Sequence, residues 1–271
     1  MTAATISSPA IAGPAGGRFA GLGALVRKDA TEWRRGRRAV IVFAISTAFM
    51  VLTAANAWIN RLIASALPAG VDPPDLPLSM APLDNLFAAV SSQVFILAAI
   101  FAVASLIVRE RESGTLAWVA SKPVSRSSIW LAKWISSSAI LAVSAVIAPL
   151  AITFIAVVAM YGLPAVAPAV IVAVGASAMI AFYAALGLAA GTVMPGQPAI
   201  AATGFGVFAV VPLLVAIIPV PVGPFLPTSI LAWSFGAASG ADVGFATPIA
   251  WAIGTALLAG LAMRRMDRME L

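Results

Sequence analysis

Apolar residues fall in long unbroken runs along this chain, separated by short groups of polar and turn-forming residues. No charge occurs from Ala39 to Asn60 or from Leu86 to Val108, and from Trp134 to Met263 the only one is Asp242. A hydrocarbon core about 30 Å thick needs about 20 apolar residues in a helix. Only helices and closed barrels satisfy their backbone polar groups in lipid, and runs this long favour helices over the ten-residue alternation of a barrel. The pattern predicts six spans, at 39–60, 85–108, 135–161, 169–190, 199–220 and 245–263. Gly162-Leu163-Pro164, Pro195 to Pro198, and Pro219 to Pro227 divide the later ones, because Pro and Gly punctuate apolar segments. Pro149 and Pro212 fall inside spans and predict kinks. The apolar, proline-rich stretch 219–242 reads as a re-entrant helix, with an external loop as the alternative. The expected fold class is an all-α membrane protein, one domain over 18–271, preceded by a disordered small-residue tail at 1–17 with no apolar core for a cleaved leader.

Composition makes the same case by exclusion. Of 271 residues, 62% are hydrophobic and 10% charged, and the mean hydropathy is +1.04. So few charges cannot cover a soluble domain, which sets aside soluble enzymes, DNA-binding domains and disordered chains. With no Cys and no His, disulfides, thiolate metal sites and His-based triads are excluded.

The placement of the charges adds orientation. Seven Lys and Arg precede the first span, five lie between the second and third, and three follow the sixth; the exception among the sixteen is Arg61. The positive-inside rule then puts both termini in the cytoplasm and requires an even number of spans. The cluster Arg34, Arg35, Arg37 and Arg38 hugs a span end, where it sets topology and meets anionic lipid rather than nucleic acid.

Two cytoplasmic features carry the candidate chemistry. From Phe19 to Arg38, the positions Leu22, Leu25, Val26, Ala30 and Trp33 share a helical face, while Lys28 and Arg34 supply cations. This is the pattern of an interfacial helix. The loop Arg109 to Lys133 is the one hydrophilic cytoplasmic loop of any length. Gly114 can end the helix of the second span, Thr115 can cap a short helix to Ser121 that Pro123 stops, and Ser125 or Ser127 can cap the third span. A short helix held parallel to the membrane among charges has the shape of a docking element.

Glu110-Arg-Glu112-Ser-Gly114-Thr115-Leu116, followed by Pro123-Val-Ser-Arg126 and Lys133, resembles the coupling loop of type-2 ABC transporter permeases. Lys28-Asp29 with Trp33 to Arg38 is similar to that family's amphipathic connecting helix, the Gly-rich turn Gly187 to Ala202 to its second cytoplasmic turn, Leu226-Pro227 to the Pro after its fifth span, and Arg264-Arg265-Met266-Asp267 to its basic exit. Trp118 departs from the pattern. The resemblance implies a permease paired with a second copy, identical or homologous, and with two cytosolic P-loop ATPase subunits that bind ATP and Mg. It implies that Glu110, Glu112, Gly114, Thr115 and Leu116 form or orient the coupling helix and that Arg126 and Lys133 anchor it.

What the chain lacks agrees. No Gly-Lys dipeptide occurs, so no P-loop is present, and any ATP chemistry belongs to a separate chain. No catalytic or metal site is expected. No ionisable residue is expected deep in a span, which argues against an ion-coupled carrier. Polar residues within spans read mainly as interhelical hydrogen-bonding groups, with Asn56 and Gln93 as candidates for a substrate path. Gly187-x-x-x-Gly191 and Ala256-x-x-x-Gly260 permit close helix packing. The expected function is ATP-driven transport at the cell membrane, export of an apolar or amphipathic substrate, against the alternatives of a non-transporting membrane scaffold and an ion-coupled carrier.

Overall fold

The apolar runs fold as helices, and among the described residues there is no strand. The computed structural model describes Phe19 and residues 21–67, 79–104, 106–121, 124–217 and 222–268, with only the backbone of Leu116, Ala117, Ala120, Val215 and Ala216. The expected tail at 1–17, together with Lys122, Pro123 and the Pro219 end of the last divider, lies outside the described residues.

Among the described residues six helices are long and apolar enough to cross a membrane. The order begins with α1 (Leu22–Arg35) and the first span, α2 (Arg38–Ala66). The second span comprises α3 (Pro82–Ser91), α4 (Val94–Ala104) and α5 (Leu106–Glu112), and α6 (Thr115–Ala120) follows it. The third span is α7 (Arg126–Leu141), a π-helical segment (Ala142–Ile147) and α8 (Ala148–Tyr161). Then come α9 (Val166–Gly191), α10 (Gln197–Ile217), two short 3₁₀ turns, α11 (Ile230–Ala238) and α12 (Ala246–Asp267).

All six spans shift by a few residues from the expected bounds, the fourth to Val166–Gly191 and the sixth on to Asp267, and the first three differ in ways that matter. The first runs on to Ala66, so Arg61 lies on a helix. The second starts at Pro82 and breaks at Gln93, whose φ of 51° is left-handed. A non-glycine residue there costs about 1–2 kcal/mol, and the Gln93 carbonyl starts α4 by accepting from Ile96 N at 2.9 Å. The third begins at Arg126 rather than Ile135 and is 36 residues long. At 1.5 Å per residue that is about 54 Å, well beyond the hydrocarbon thickness, so its first turns project past the apolar layer. The π segment stands immediately before Pro149, which has no N–H to give the helix ladder.

Helix α9 is the centre of the bundle, enclosed by α4, α7, α10, α11 and α12. The indole N–H of Trp134 donates to Ala181 O at 2.9 Å and that of Trp251 to Ala178 O at 2.8 Å, fastening α7 and α12 to its backbone. Gly187 and Gly191 lie against Val103 and Ile107 of the second span. Gly260, in contrast, faces open space. The closest approach is at Gly175, where a Cβ would stand 2.3 Å from the Ser234 side chain. Helix α11 therefore turns back along the N-terminal half of α9, although its 9 residues are too few to span. At the same end of the bundle Tyr161 bridges α8 to α2. Its hydroxyl donates to Ala54 O at 2.8 Å and accepts from Trp58 N at 2.9 Å, entering one rung of the α2 ladder, which bends helices.

Candidate functional site

The first turns of α7 carry Lys133 out to meet α1 and the end of α5. Lys133 is 6% exposed, and its Nζ lies 2.7 Å from Glu110 Oε1 and 3.9 Å from Asp29 Oδ2. Lys28 closes the cluster, at 3.6 Å from the same Glu110 oxygen and 3.8 Å from Asp29 Oδ1. Three elements remote in sequence are thus joined at one buried lysine. Asp29, Glu32 and Glu110 bring carboxylate oxygens within 4.8 Å of one another, and the lysines stand among them as counter-charge. Burial is the main influence on Asp29, which is 7% exposed. It raises the carboxyl above its ordinary 3.8 against the pull of Lys133 and Lys28, with Glu110 and Glu32 adding to the rise.

Asp29 explains a difference from the sequence reading of α1. The face formed by Leu22, Leu25, Val26, Ala30 and Trp33 is packed on α7, with Leu25 and Trp33 buried. Its cover is protein, and Asp29 sits on the same face, one helical turn from Leu25. Lys28 and Arg34 are exposed at the rim.

The loop after the second span is built by local rules. Gly114 has a φ of 71°, the left-handed conformation that ends a helix, and its N–H bonds to Arg111 O at 3.2 Å. Thr115 is the first residue of α6 rather than its cap, and its hydroxyl meets that of Ser113 at 2.8 Å. Ser125 caps α7 by accepting from Ser128 N at 3.1 Å. On α6, Val119 is buried while Trp118 is 62% exposed; the Leu116 side chain lies outside the described residues. Glu112 is exposed and outside the lysine cluster.

Two further ties were missed in the sequence. Arg111 donates to Met194 O at 3.1 Å and to Pro195 O at 2.8 Å, joining the loop to the turn between α9 and α10. Ser127 donates to both carboxylate oxygens of Asp267 at 3.2 Å, and Arg126 to the Asp267 carbonyl at 3.3 Å, joining the start of α7 to the end of α12. Arg111 and Asp267 stood inside motifs that carry the family resemblance, but no spacing in the sequence pointed to their partners.

The expected path residues are apart from this site. Asn56 lies on an exposed face of α2 with Ile45, Phe49 and Leu52, and Gln93 at the α3–α4 break. A cavity of about 500 Å³ opens beside the lysine cluster, between α1, the start of α2 and α5. The arrangement can transmit displacement: five chain segments at one end of the bundle are cross-linked by charge and hydrogen bonds around a short helix with one face outward.

No curated relative matches the chain. The family model of the ABC-2 family transporter proteins matches residues 23–229, from within α1 to the turn before α11. That is well over half of the chain and includes the whole loop and lysine cluster, so the chain belongs to the ABC-2 transporter family and is a membrane component of an ABC transporter.

Proposed function

We propose that this chain is the permease half of an exporter driven by two separate cytosolic ATPase subunits, working with a second permease copy. In this reading α6 docks on an ATPase with Trp118 at the contact. The Lys133 cluster carries the movement of the loop into the third span and α1. Both termini are cytoplasmic. ATP and Mg are bound by the ATPase, and the permease contributes no catalytic group.

One observation carries the reading. Lys133 is a buried cation on a spanning helix whose counter-charges come from the loop and from α1. A buried pair couples its two elements strongly, because separating them strands a charge in low dielectric. The weakly polar spans favour an apolar or amphipathic cargo, with Asn56 and Gln93 as candidates for its path between the two copies.

The test is to purify the chain with the ATPase encoded beside it and to measure ATP turnover in lipid with Glu110→Gln, Lys133→Met and Trp118→Ala. Assembly should persist in the first two while turnover becomes uncoupled from cargo, and Trp118→Ala should weaken assembly. Failure of any P-loop ATPase to co-purify, or unchanged coupling in all three variants, would sink the proposal and favour a scaffold.

A further inference from the structure

Arg38 lines two cavities of opposite character. On one side is the polar cavity of about 500 Å³ beside the lysine cluster. On the other is an apolar groove of about 430 Å³, formed by Ile41, Val42 and Ile45 of α2 and Val94, Ala98 and Phe101 of α4. From Arg38 to Ile45 on α2 and from Val94 to Ala102 on α4, seven and eight rises of about 1.5 Å make the groove about 10–12 Å long, running from the charged end of the bundle into the apolar layer.

The charges at its mouth are unbalanced. In the polar cavity Lys28 and Lys133 are matched by Asp29 and Glu110. The remaining cations, Arg37, Arg38 and Arg109, face only Glu32. Arg38 and Arg109 line the same polar cavity, where their like charges oppose each other. Among the described residues Arg38 forms no ion pair and no hydrogen bond. Arg38 at the mouth of the apolar slot, with the like-charged Arg109 behind it in the polar cavity, calls for an anion with a hydrocarbon tail.

We propose that this groove holds an anionic phospholipid, its phosphate between Arg38 and Arg109 and the first part of one acyl chain along α2 and α4. Arginine forks match phosphate oxygens in pairs, and anionic lipid gains about 1 kcal/mol per basic residue near the surface. A second copy of the chain is the poorer occupant. Lying in the same membrane with the same orientation, it would bring its own Arg37 and Arg38 to the same level, like charge against like.

The full chain tests this in detergent by native mass spectrometry. Phosphatidylglycerol and phosphatidylcholine with identical acyl chains are the probes, and soluble glycerol phosphate is the competitor. One phosphatidylglycerol should be retained in preference to phosphatidylcholine, and glycerol phosphate should not displace it. Arg38→Gln should weaken retention about fivefold, Ala98→Trp should abolish it by filling the slot, and Arg264→Gln, an exposed cation remote from the groove, should leave it unchanged. Equal retention of the two lipids overturns the proposal. So does equal weakening by Arg38→Gln and Arg264→Gln, which means diffuse surface charge, or displacement by glycerol phosphate, which means a small-anion site. A loss of dimer in Ala98→Trp with lipid retention intact assigns the groove to a contact between copies and also overturns it. Where Arg38→Gln does not accumulate, head-group selectivity on the unaltered chain and the Ala98→Trp result decide.

Discussion

The two ends of the third span are held by different chemistry. At the α7 end, Lys133 is buried among carboxylates from α1 and α5, and Ser127 and Arg126 grip the end of α12. From Trp134 onward the same helix is held by packing against α9, one indole hydrogen bond and, at Tyr161, a hydroxyl set into the ladder of α2. The difference follows from the solvent. Lipid tails are as apolar as the side chains, so helices in the apolar layer gain little from burial and rely on close fit and hydrogen bonds to backbone. Beyond that layer water is available, charges are affordable, and they can make a connection that is specific in partner and direction. The charged end is built to be addressed and the apolar part to keep its shape.

The sharpest way to break this contrast is Lys133→Met. It leaves Asp29, Glu32 and Glu110 with Lys28 alone, and loss of one partner of a buried pair costs about 3–5 kcal/mol. Thermal unfolding in detergent should show that loss, and Glu110→Gln in the same chain should recover part of it. Full additivity of the two changes would mean that the pair is not coupled. Next comes Gly175→Ala, whose new Cβ would collide with Ser234 and should cost about 1–3 kcal/mol by overpacking. Ser234→Gly should relieve it. Gly260→Ala is the control on α12: nothing stands within 4 Å of its Cβ, so its midpoint should not fall.

Asp29→Asn separates burial from pairing at the charged end. The folded carboxyl is raised above 3.8, chiefly by burial, so the folded chain holds this proton more tightly than the unfolded chain does. Its contribution to stability is complete below 3.8 and is lost as pH climbs through the folded value. The midpoint of Asp29→Asn should therefore gain on that of the parent as pH rises above 3.8. A variant midpoint that instead falls relative to the parent as pH rises would mean that pairing with Lys133 and Lys28 outweighs burial. The smallest effect is expected from Trp251→Phe, which removes one hydrogen bond to Ala178 O and should cost about 0.5–1.5 kcal/mol, with no dependence on salt. Equal salt sensitivity in this variant and in Glu110→Gln would erase the distinction between the two regions.

The spans were legible because an apolar run of the right length has one stable outcome in lipid. Their interruptions were less so. Pro149 pointed to a distortion, and the π segment beside it supplies one, but nothing local singled out Gln93 as the break in the second span. A left-handed glutamine runs against local preference, so no local rule could have pointed to it. In the loop, Gly114 and Ser125 were readable since their roles are set by φ and by a bond three residues away. Glu110 and Lys133 were named from a resemblance, and Asp29 only as part of a motif. No spacing rule connects residues so far apart in the chain.

The sequence by itself determined the number and class of the spanning helices, the gathering of cations at one set of helix ends and the lack of a P-loop motif. These depend on composition and on short-range periodicity. Only the tertiary structure decided what covers each face. The apolar stripe of α1 looked fit for lipid and is covered by α7, Asn56 faces outward from α2, and Gly260 packs against nothing although Gly187 and Gly191 do. Periodicity reports that a face is apolar or small and carries no record of its neighbour. The neighbour is chosen by which helices pack together, and here that choice placed one lysine between two carboxylates, one from the helix before the first span and one from the end of the second.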